Sequence, residues 1–311
     1  MKKIAFNIGG SIGDAVISTG VLGWLMDTHP QAEFTIAAAP AVAPLFAACP
    51  RMERFIAVHR RPLRLHWPLL WNDLRKTHWD LVVDLRSSAI SYLVRTRSRK
   101  IFYAQDRSLS RAAQLARMFA LPELPPTRLW ADAASEARAQ ALLPAGRDVI
   151  LLAPKAAAPH KDWPMERFAA LALRLRKEDT VFAMLGTAAQ AESVRPLLAA
   201  LPAEQRIDLC GKTDLPTAFA VMRRAQLFIG NDSGLLHMAA AAGIPCVGLY
   251  GVSNDKMYAP HGPHVRIAKV REFAMDEREL SEPAIMEQLT VDRVLAAVED
   301  VLSVAALHLV V

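Results

Sequence analysis

A chain of 311 residues with 52% hydrophobic and 22% charged side chains has enough apolar material for two α/β cores, which excludes a disordered chain and any dependence on a metal or disulfide scaffold. Its formal net charge of +6 is uneven: residues up to Asp148 carry about +8 and the remainder about −2, so the first half is expected to face something anionic. The three cysteines, Cys49, Cys210 and Cys246, fit no metal-ligand spacing and read as structural thiols of a reducing compartment, with Cys210 beside Gly211 the one to test for reactivity. No stretch approaches the roughly 20 uninterrupted apolar residues that span a bilayer. The N-terminal apolar run is cut from Gly9 onward, before it would form a signal-peptide core, so a cytoplasmic protein is expected, with membrane contact no more than peripheral.

In chain order, Lys3–Ile8 reads as a strand, Gly9 to Gly13 as a loop, and Asp14–Thr28 as a helix whose apolar residues recur at helical spacing until Pro30. A strand at Phe34–Ala37, a helix near Ala41–Ala48 and a strand at Phe55–Val58 follow. The basic segment from His59 to Trp67, with Arg60, Arg61 and Arg64, reads equally as a solvated surface or as a loop for anionic substrate or phospholipid headgroups. Nucleic acid is the weaker reading, because no nucleic-acid motif accompanies the charge. A strand at Leu81–Leu85 precedes another helical stretch, and the prolines at 122, 125 and 126 break regular structure. After a helix at Asp132–Leu142 comes a second break at Pro144–Arg147, which places the division between residues 1–145 and 146–311. The second part repeats the alternation, with strands at Val149–Ala153, Val181–Leu185, Ile207–Leu209, Leu227–Ile229 and Cys246–Tyr250. Its predicted helices are Met165–Arg176, Ala188–Leu201, Ala218–Arg224 and Leu235–Ala242. Two Rossmann-like domains with parallel sheets facing a central cleft are expected, with ligands beyond the carboxyl ends of the strands.

Three constellations fall at strand exits. In Gly9-Gly10-Ser11-Ile12-Gly13-Asp14 a glycine loop enters a helix and offers free N–H groups at its positive end, which suit an anion. The dinucleotide fingerprint is not met: it needs glycine where Ile8 stands, and no acid clearly ends the second strand, so a nicotinamide oxidoreductase is disfavoured. Asp14 reads as a carboxylate stabilising the helix dipole or as a general base. In His160-Lys161-Asp162-Trp163-Pro164, Lys161 reads as the countercharge of a diphosphate or as a surface lysine before an ordinary helix. In Ile229-Gly230-Asn231-Asp232-Ser233-Gly234-Leu235-Leu236-His237, the Ser233-Gly234 amides are suited to phosphate and His237 shares the face of Ser233. The competing account is a satisfied N-cap made by Asp232 or Ser233, with His237 merely packed.

Together these residues resemble the ADP-heptose lipopolysaccharide heptosyltransferase family over most of the chain. The resemblance is carried by Gly13-Asp14, by Lys161-Asp162-Trp163-Pro164, and by the run from Ala225 through Asn231-Asp232-Ser233-Gly234-Leu235-Leu236-His237 to Gly248-Leu249-Tyr250-Gly251. It implies GT-B architecture and inverting sugar transfer without metal or cofactor. It also implies Asp14 as catalytic base, Lys161 on the nucleotide-sugar phosphates, and Asp232, Ser233, Gly234 and His237 around diphosphate and sugar. Gly13, Arg60, Arg61 and Arg64 would then bind an anionic lipid-linked acceptor, the Kdo and phosphate groups of the lipid A anchor, with peripheral contact at the inner membrane. Cleft closure would assemble the reaction centre. The chain departs from the family pattern at Gly20, where proline is common, at Ala156 and Ala157, where hydroxyl residues are frequent, and at Leu215-Pro216-Thr217, which lacks an acid although Asp214 is close by. Another nucleotide-sugar donor, a later heptose addition, or a non-catalytic sugar-nucleotide or lipopolysaccharide-binding protein are the alternatives.

Overall fold

The computed structural model describes residues 2–103, 106, 108–272 and 283–308. The chain divides into two compact units, Met1–Trp130 and Ala131–Val311. The first runs β1 (Lys3–Asn7), α1 (Ile12–Thr28), β2 (Glu33–Ala38), β3 (Met52–Ala57), α2 (His66–Leu74), β4 (Trp79–Asp84), α3 (Ile90–Leu93), β5 (Thr96–Ile101) and α4 (Arg111–Met118). Its five strands are all parallel, in the order β3-β2-β1-β4-β5. The apolar run of β1, with Ile4, Ala5 and Phe6 almost fully buried, is what a strand covered on both faces requires. Strand order reverses between β1 and β4, so their carboxyl ends form the crevice where ligands of such sheets bind.

The second unit runs α5 (Ala133–Leu142), β6 (Asp148–Ala153), α6 (Met165–Leu175), β7 (Thr180–Met184), α7 (Arg195–Ala199), β8 (Arg206–Asp208), α8 (Leu215–Met222), β9 (Leu227–Asn231), α9 (Gly234–Ala241), β10 (Cys246–Tyr250), α10 (Asp255–Tyr258), β11 (Val265–Lys269) and α11 (Val291–His308). Its six parallel strands are ordered β11-β10-β9-β6-β7-β8, which puts the reversal between β6 and β9. The core of one face is built from Trp163, Phe168, Phe182, Ile229 and Val247, closed by Val294 and Val298 of α11. No described helix is long and apolar enough to cross a membrane.

The division between units falls before α5 rather than after it. Helix α5 packs on α8, Glu136 bonds both Arg223 and Arg224, and Arg138 pairs with Asp214 at 2.8 Å, so the helix belongs to the second unit. The proline-rich segment ahead of it is held on α1: Arg128 pairs with Asp27 at 2.6 Å and its N–H donates to Thr19 Oγ1 at 3.0 Å. That docking explains Gly20, since a Cβ there would collide with the Pro125 carbonyl. Two expected helices are interrupted. Pro40–Phe46 is a 3-10 helix with Pro44 inside it, and Ala188–Leu201 breaks into two 3-10 turns before α7, which starts afresh with Pro196 in its first turn. All three cysteines are buried, and burial pushes each thiol up to about 12, Asp208 adding to the effect at Cys210, so none is a thiolate near neutral pH.

Candidate functional site

In the first unit, β1 delivers the chain through Gly9 and Gly10 to Ser11, the N-cap of α1. The Asp14 N–H donates to Ser11 Oγ at 3.1 Å, and the Ser11 hydroxyl in turn donates to Asp14 Oδ2 at 2.8 Å. The half-buried carboxylate is thus fixed in the first turn, where the helix dipole favours it, while Oδ1 has no hydrogen-bond partner among the described residues. Gly13 is the second helical residue, where an N–H has no acceptor inside its own helix.

The neighbouring exit, from β4, is organised by Asp84, which is fully buried. Its Oδ1 accepts from Asn7 Nδ2 and from the Arg86 N–H, both at 2.9 Å; its Oδ2 accepts from the Ser88 N–H at 2.8 Å and from the Ser88 and Ser91 hydroxyls. This turn aims Arg86 over the Trp67 ring, 5.2 Å from its centroid. Arg86 shares a cavity of about 930 Å³ with Arg60, Arg61, Trp67, Trp71 and Ser88. Burial, and then the Arg60 charge, lower the Arg86 guanidinium from its usual value against the pull of Asp84. No carboxylate among the described residues pairs with these three arginines. The cavity therefore offers fixed positive charge beside two indole faces, a setting for a carboxylate- or phosphate-bearing ligand. Of the basic triplet expected here, Arg60 and Arg61 line the cavity, whereas the Arg64 side chain lies outside the described residues.

In the second unit the exits of β6 and β9 are tied together by Asn231, which is completely buried. Its Nδ2 donates to the Pro154 carbonyl at 2.8 Å and its Oδ1 accepts the Trp163 N–H at 3.1 Å, so one amide fixes both ends of the loop that carries Lys161. Trp163 is anchored further by its indole N–H on the Leu289 carbonyl at 2.8 Å. Within the loop, Asp162 pairs with Lys155 and accepts the Ala156 N–H at 2.7 Å. Lys161 reaches Asp232 at 3.0 Å, and the Tyr250 hydroxyl donates to the other oxygen of that carboxylate at 3.1 Å. Burial raises Asp232, but the Lys161 charge, with smaller help from His237, outweighs it and holds the carboxyl below its ordinary value. Tyr250 is driven well above the phenolic range by burial and by this carboxylate.

Helix α9 opens at Ser233, whose side chain caps nothing: its hydroxyl is buried and has no hydrogen-bond partner in the described structure. The expected alternative of a satisfied serine cap is therefore not what the structure contains. The first-turn amides of α9, including that of Gly234, lack a side-chain cap, and His237 follows one turn on, buried near Asp232. The structure thus gathers Lys161, Asp232, Ser233, Gly234 and His237 at the switch point of the second sheet, and Asp14, Gly13, Arg60 and Arg61 along the strand exits of the first. Sequence reasoning passed over Arg86, Trp71, Asp84, Lys155 and Tyr250. Asp84 and Tyr250 carried a local signal, each near the end of an expected strand, and Tyr250 also within the run that carries the resemblance.

Two doubly wound parallel-sheet units, one with an uncapped helix N-terminus beside a lysine–aspartate pair at its switch point, are the elements of a GT-B fold, and the comparisons with known proteins supply the class. The chain belongs to glycosyltransferase family 9 (heptosyltransferase), which residues 83–287 match. It is 31% identical to lipopolysaccharide heptosyltransferase 2 of Escherichia coli K12 over 245 residues, covering 74% of this chain and 62% of that protein. A 30% identity to the Salmonella typhimurium protein of the same name has the same coverage, so the matched region spans about three fifths of the length of these relatives. Among solved structures, the fold is shared with the family 9 glycosyl transferase of Veillonella parvula (TM-score 0.80, 20% identity, 97% of each chain). It is also shared with the E. coli ADP-heptose heptosyltransferase II (TM-score 0.76, 23% identity, 97% of this chain and 98% of that one).

Proposed function

We propose that the protein is a heptosyltransferase that moves heptose from ADP-heptose to the inner core of lipopolysaccharide, on Kdo or heptose, with inversion and without a metal. The carrying observation is in the second unit: a buried, unpartnered Ser233 hydroxyl at an uncapped helix end, beside a lysine held in place by Asp232. Lys161, the Ser233 and Gly234 N–H groups and His237 would hold the diphosphate, with Asp232 turned to the sugar. As the glycosidic bond breaks, charge grows on the leaving ADP, and these donors stabilise it. The acceptor hydroxyl oxygen forms the new bond to the anomeric carbon and its proton passes to Asp14, whose Oδ1 is the open oxygen. Gly13, Arg60, Arg61 and Arg64 bind the acceptor, and Arg86 joins Arg60 and Arg61 in their cavity. Residues 1–145 would thus serve acceptor binding and 146–311 the donor, with the boundary moved to Trp130 where the units divide. A lipid-linked acceptor puts the protein at the cytoplasmic face of the inner membrane, in peripheral contact with it.

Titration calorimetry of the parent and of Lys161→Ala with ADP, UDP, GDP and NADH tests this reading. Binding of ADP in preference to the others, weakened about 10–100-fold by the substitution, is the expected result, since a hydrogen bond to a charged group is worth about 1.5–3 kcal/mol. Preference for UDP or GDP would replace the donor, and binding of NADH alone would remove the transferase reading.

A further inference from the structure

We propose that the segment from Arg60 to Leu69, with α3 beside it, is a membrane-docking element that seats the first unit on an anionic lipid surface. This rests on the reading of the acceptor as lipid-linked and names the surface that meets the lipid. Leu63 is 92% exposed, and its φ of 52° places a branched side chain in the left-handed region. The folded chain gains no packing from a leucine held there in a costly conformation, which points to a use outside the fold. Leu65 and Leu69 follow one helical turn apart, half exposed, on the side of α2 away from the buried Leu70 and Leu74. Helix α3 adds Tyr92 and Leu93, both exposed, and is tied to α2 by the Trp71 indole N–H on the Leu93 carbonyl at 3.2 Å. Among the described residues, all but three of the exposed large apolar side chains lie between Leu63 and Tyr103.

Singly scattered surface leucines need no explanation, but leucines clustered beside unpaired arginines do. Arg60 and Arg61 precede the leucines, and Arg75 stacks over Trp71 at 4.9 Å. Positive charge beside exposed leucines suits the headgroup–acyl boundary of an anionic bilayer, where apolar side chains sink and arginine heads stay with the phosphates. A second copy of the chain is the less favoured occupant, because joining this face to itself brings two positive patches together. The element also surrounds the cavity lined by Arg60, Arg61 and Arg86, so docking would present that cavity to lipid-linked saccharides at the surface.

The test is flotation of the full chain with phosphatidylethanolamine–phosphatidylglycerol vesicles, compared with phosphatidylcholine vesicles, for the parent and for the combined variant Leu63→Asn, Leu65→Ser, Leu69→Ser. Asparagine accepts a left-handed φ, so the variant is expected to keep its fold and melting temperature. Expected is parental flotation with the anionic vesicles that the variant loses by at least about tenfold, given what partial burial of three leucines contributes. Transfer to an acyl-free anionic acceptor in vesicle-free buffer is expected to stay within about twofold of the parent, because these leucines lie outside the cavity. A parent that floats yet transfers no sugar would uphold docking and remove the heptosyltransferase reading. A parent that does not float, a variant that floats as well as the parent, or a variant that loses only self-association would each overturn the docking proposal.

Discussion

Helices α1 and α9 both open behind the central strand of a parallel sheet, and both are preceded by a serine, yet their first turns are finished differently. At α1 the protein supplies the anion: Ser11 accepts the Asp14 N–H, and the Asp14 carboxylate occupies the positive end of the helix. At α9 the protein supplies none within the helix: Ser233 caps nothing, and the carboxylate just before it, Asp232, is engaged by Lys161 and Tyr250. On the proposed reading the same strand-to-helix device serves two chemistries: an end already filled by a carboxylate repels a phosphate and would display a base, whereas an end without a side-chain cap beside a lysine would attract one. The glycine loop at Gly9–Gly13, which by sequence suits an anion, is the first kind, and the side chain that decides this is Asp14 three residues past the cap.

The largest expected effect breaks the α1 side of the comparison. Asp14→Asn keeps an acceptor for Ser11 but removes the proposed base, so kcat is expected to fall roughly 10²–10⁴-fold with ADP binding unchanged. Steady-state kinetics together with ADP titration check this, and a loss within about threefold would take Asp14 out of the chemical step.

On the α9 side, Lys161→Met leaves Asp232 buried without its main countercharge and is expected to destabilise the second unit by about 2–4 kcal/mol at pH 7. The pH dependence carries a sign. In the parent the folded-state carboxyl sits below its ordinary value, so its contribution is complete above about pH 4 and is lost only as pH falls through the lowered value. In the variant the burial that raises Asp232 loses its strongest opponent. The gap between parent and variant in urea unfolding is therefore expected to be widest near neutrality, to narrow as pH falls, and to close only below the lowered value at which the parent's carboxyl is protonated as well. A gap that does not change with pH would mean that the lysine acts through packing alone. Slightly smaller, Asn231→Ala strands the Pro154 carbonyl and the Trp163 N–H and should cost about 2–3 kcal/mol, with ADP affinity falling as the Lys161 loop loosens.

What was legible in the sequence divides along the same line. The buried parallel strands were readable because both faces are covered and the runs are apolar, as at Val149–Ala153 and Cys246–Tyr250. The edge strands β5 and β11 were not, because Thr-Arg-Ser-Arg-Lys-Ile and Val-Arg-Ile-Ala-Lys carry the charge that an edge tolerates and a core strand does not. Helix α5 was readable, but its allegiance was not, since its partner α8 lies some 80 residues further on. The site residues expected from sequence all follow strand exits, two of them glycine-containing, at Gly9–Asp14 and Gly230–His237, and two without glycine, at His59–Arg64 and at Lys161. Those passed over are set by long-range geometry: Arg86 becomes a cavity residue only because Asp84 gathers donors from Asn7, Ser88 and Ser91, and Lys155 is revealed only by Asp162 folding back on it.

The smallest effect discriminates most sharply, because it sets one serine against the other. Ser11→Ala removes a working cap, so unfolding of the first unit is expected to become easier by about 1 kcal/mol, with ADP affinity untouched. Ser233→Ala removes a buried hydroxyl that bonds nothing, so the folded protein is expected to lose no stability and to gain up to about 1 kcal/mol from relief of an unsatisfied polar group. ADP should nonetheless bind about 5–10-fold more weakly to Ser233→Ala, because the hydroxyl is matched by the ligand rather than by the fold. Urea unfolding and ADP titration on the two alanine variants give four numbers, and the expected pattern is crossed: stability moves with one serine and affinity with the other. If Ser233→Ala instead lost about 1 kcal/mol of stability and bound ADP as the parent does, Ser233 would be an ordinary cap and the open end of α9 would not be the phosphate site.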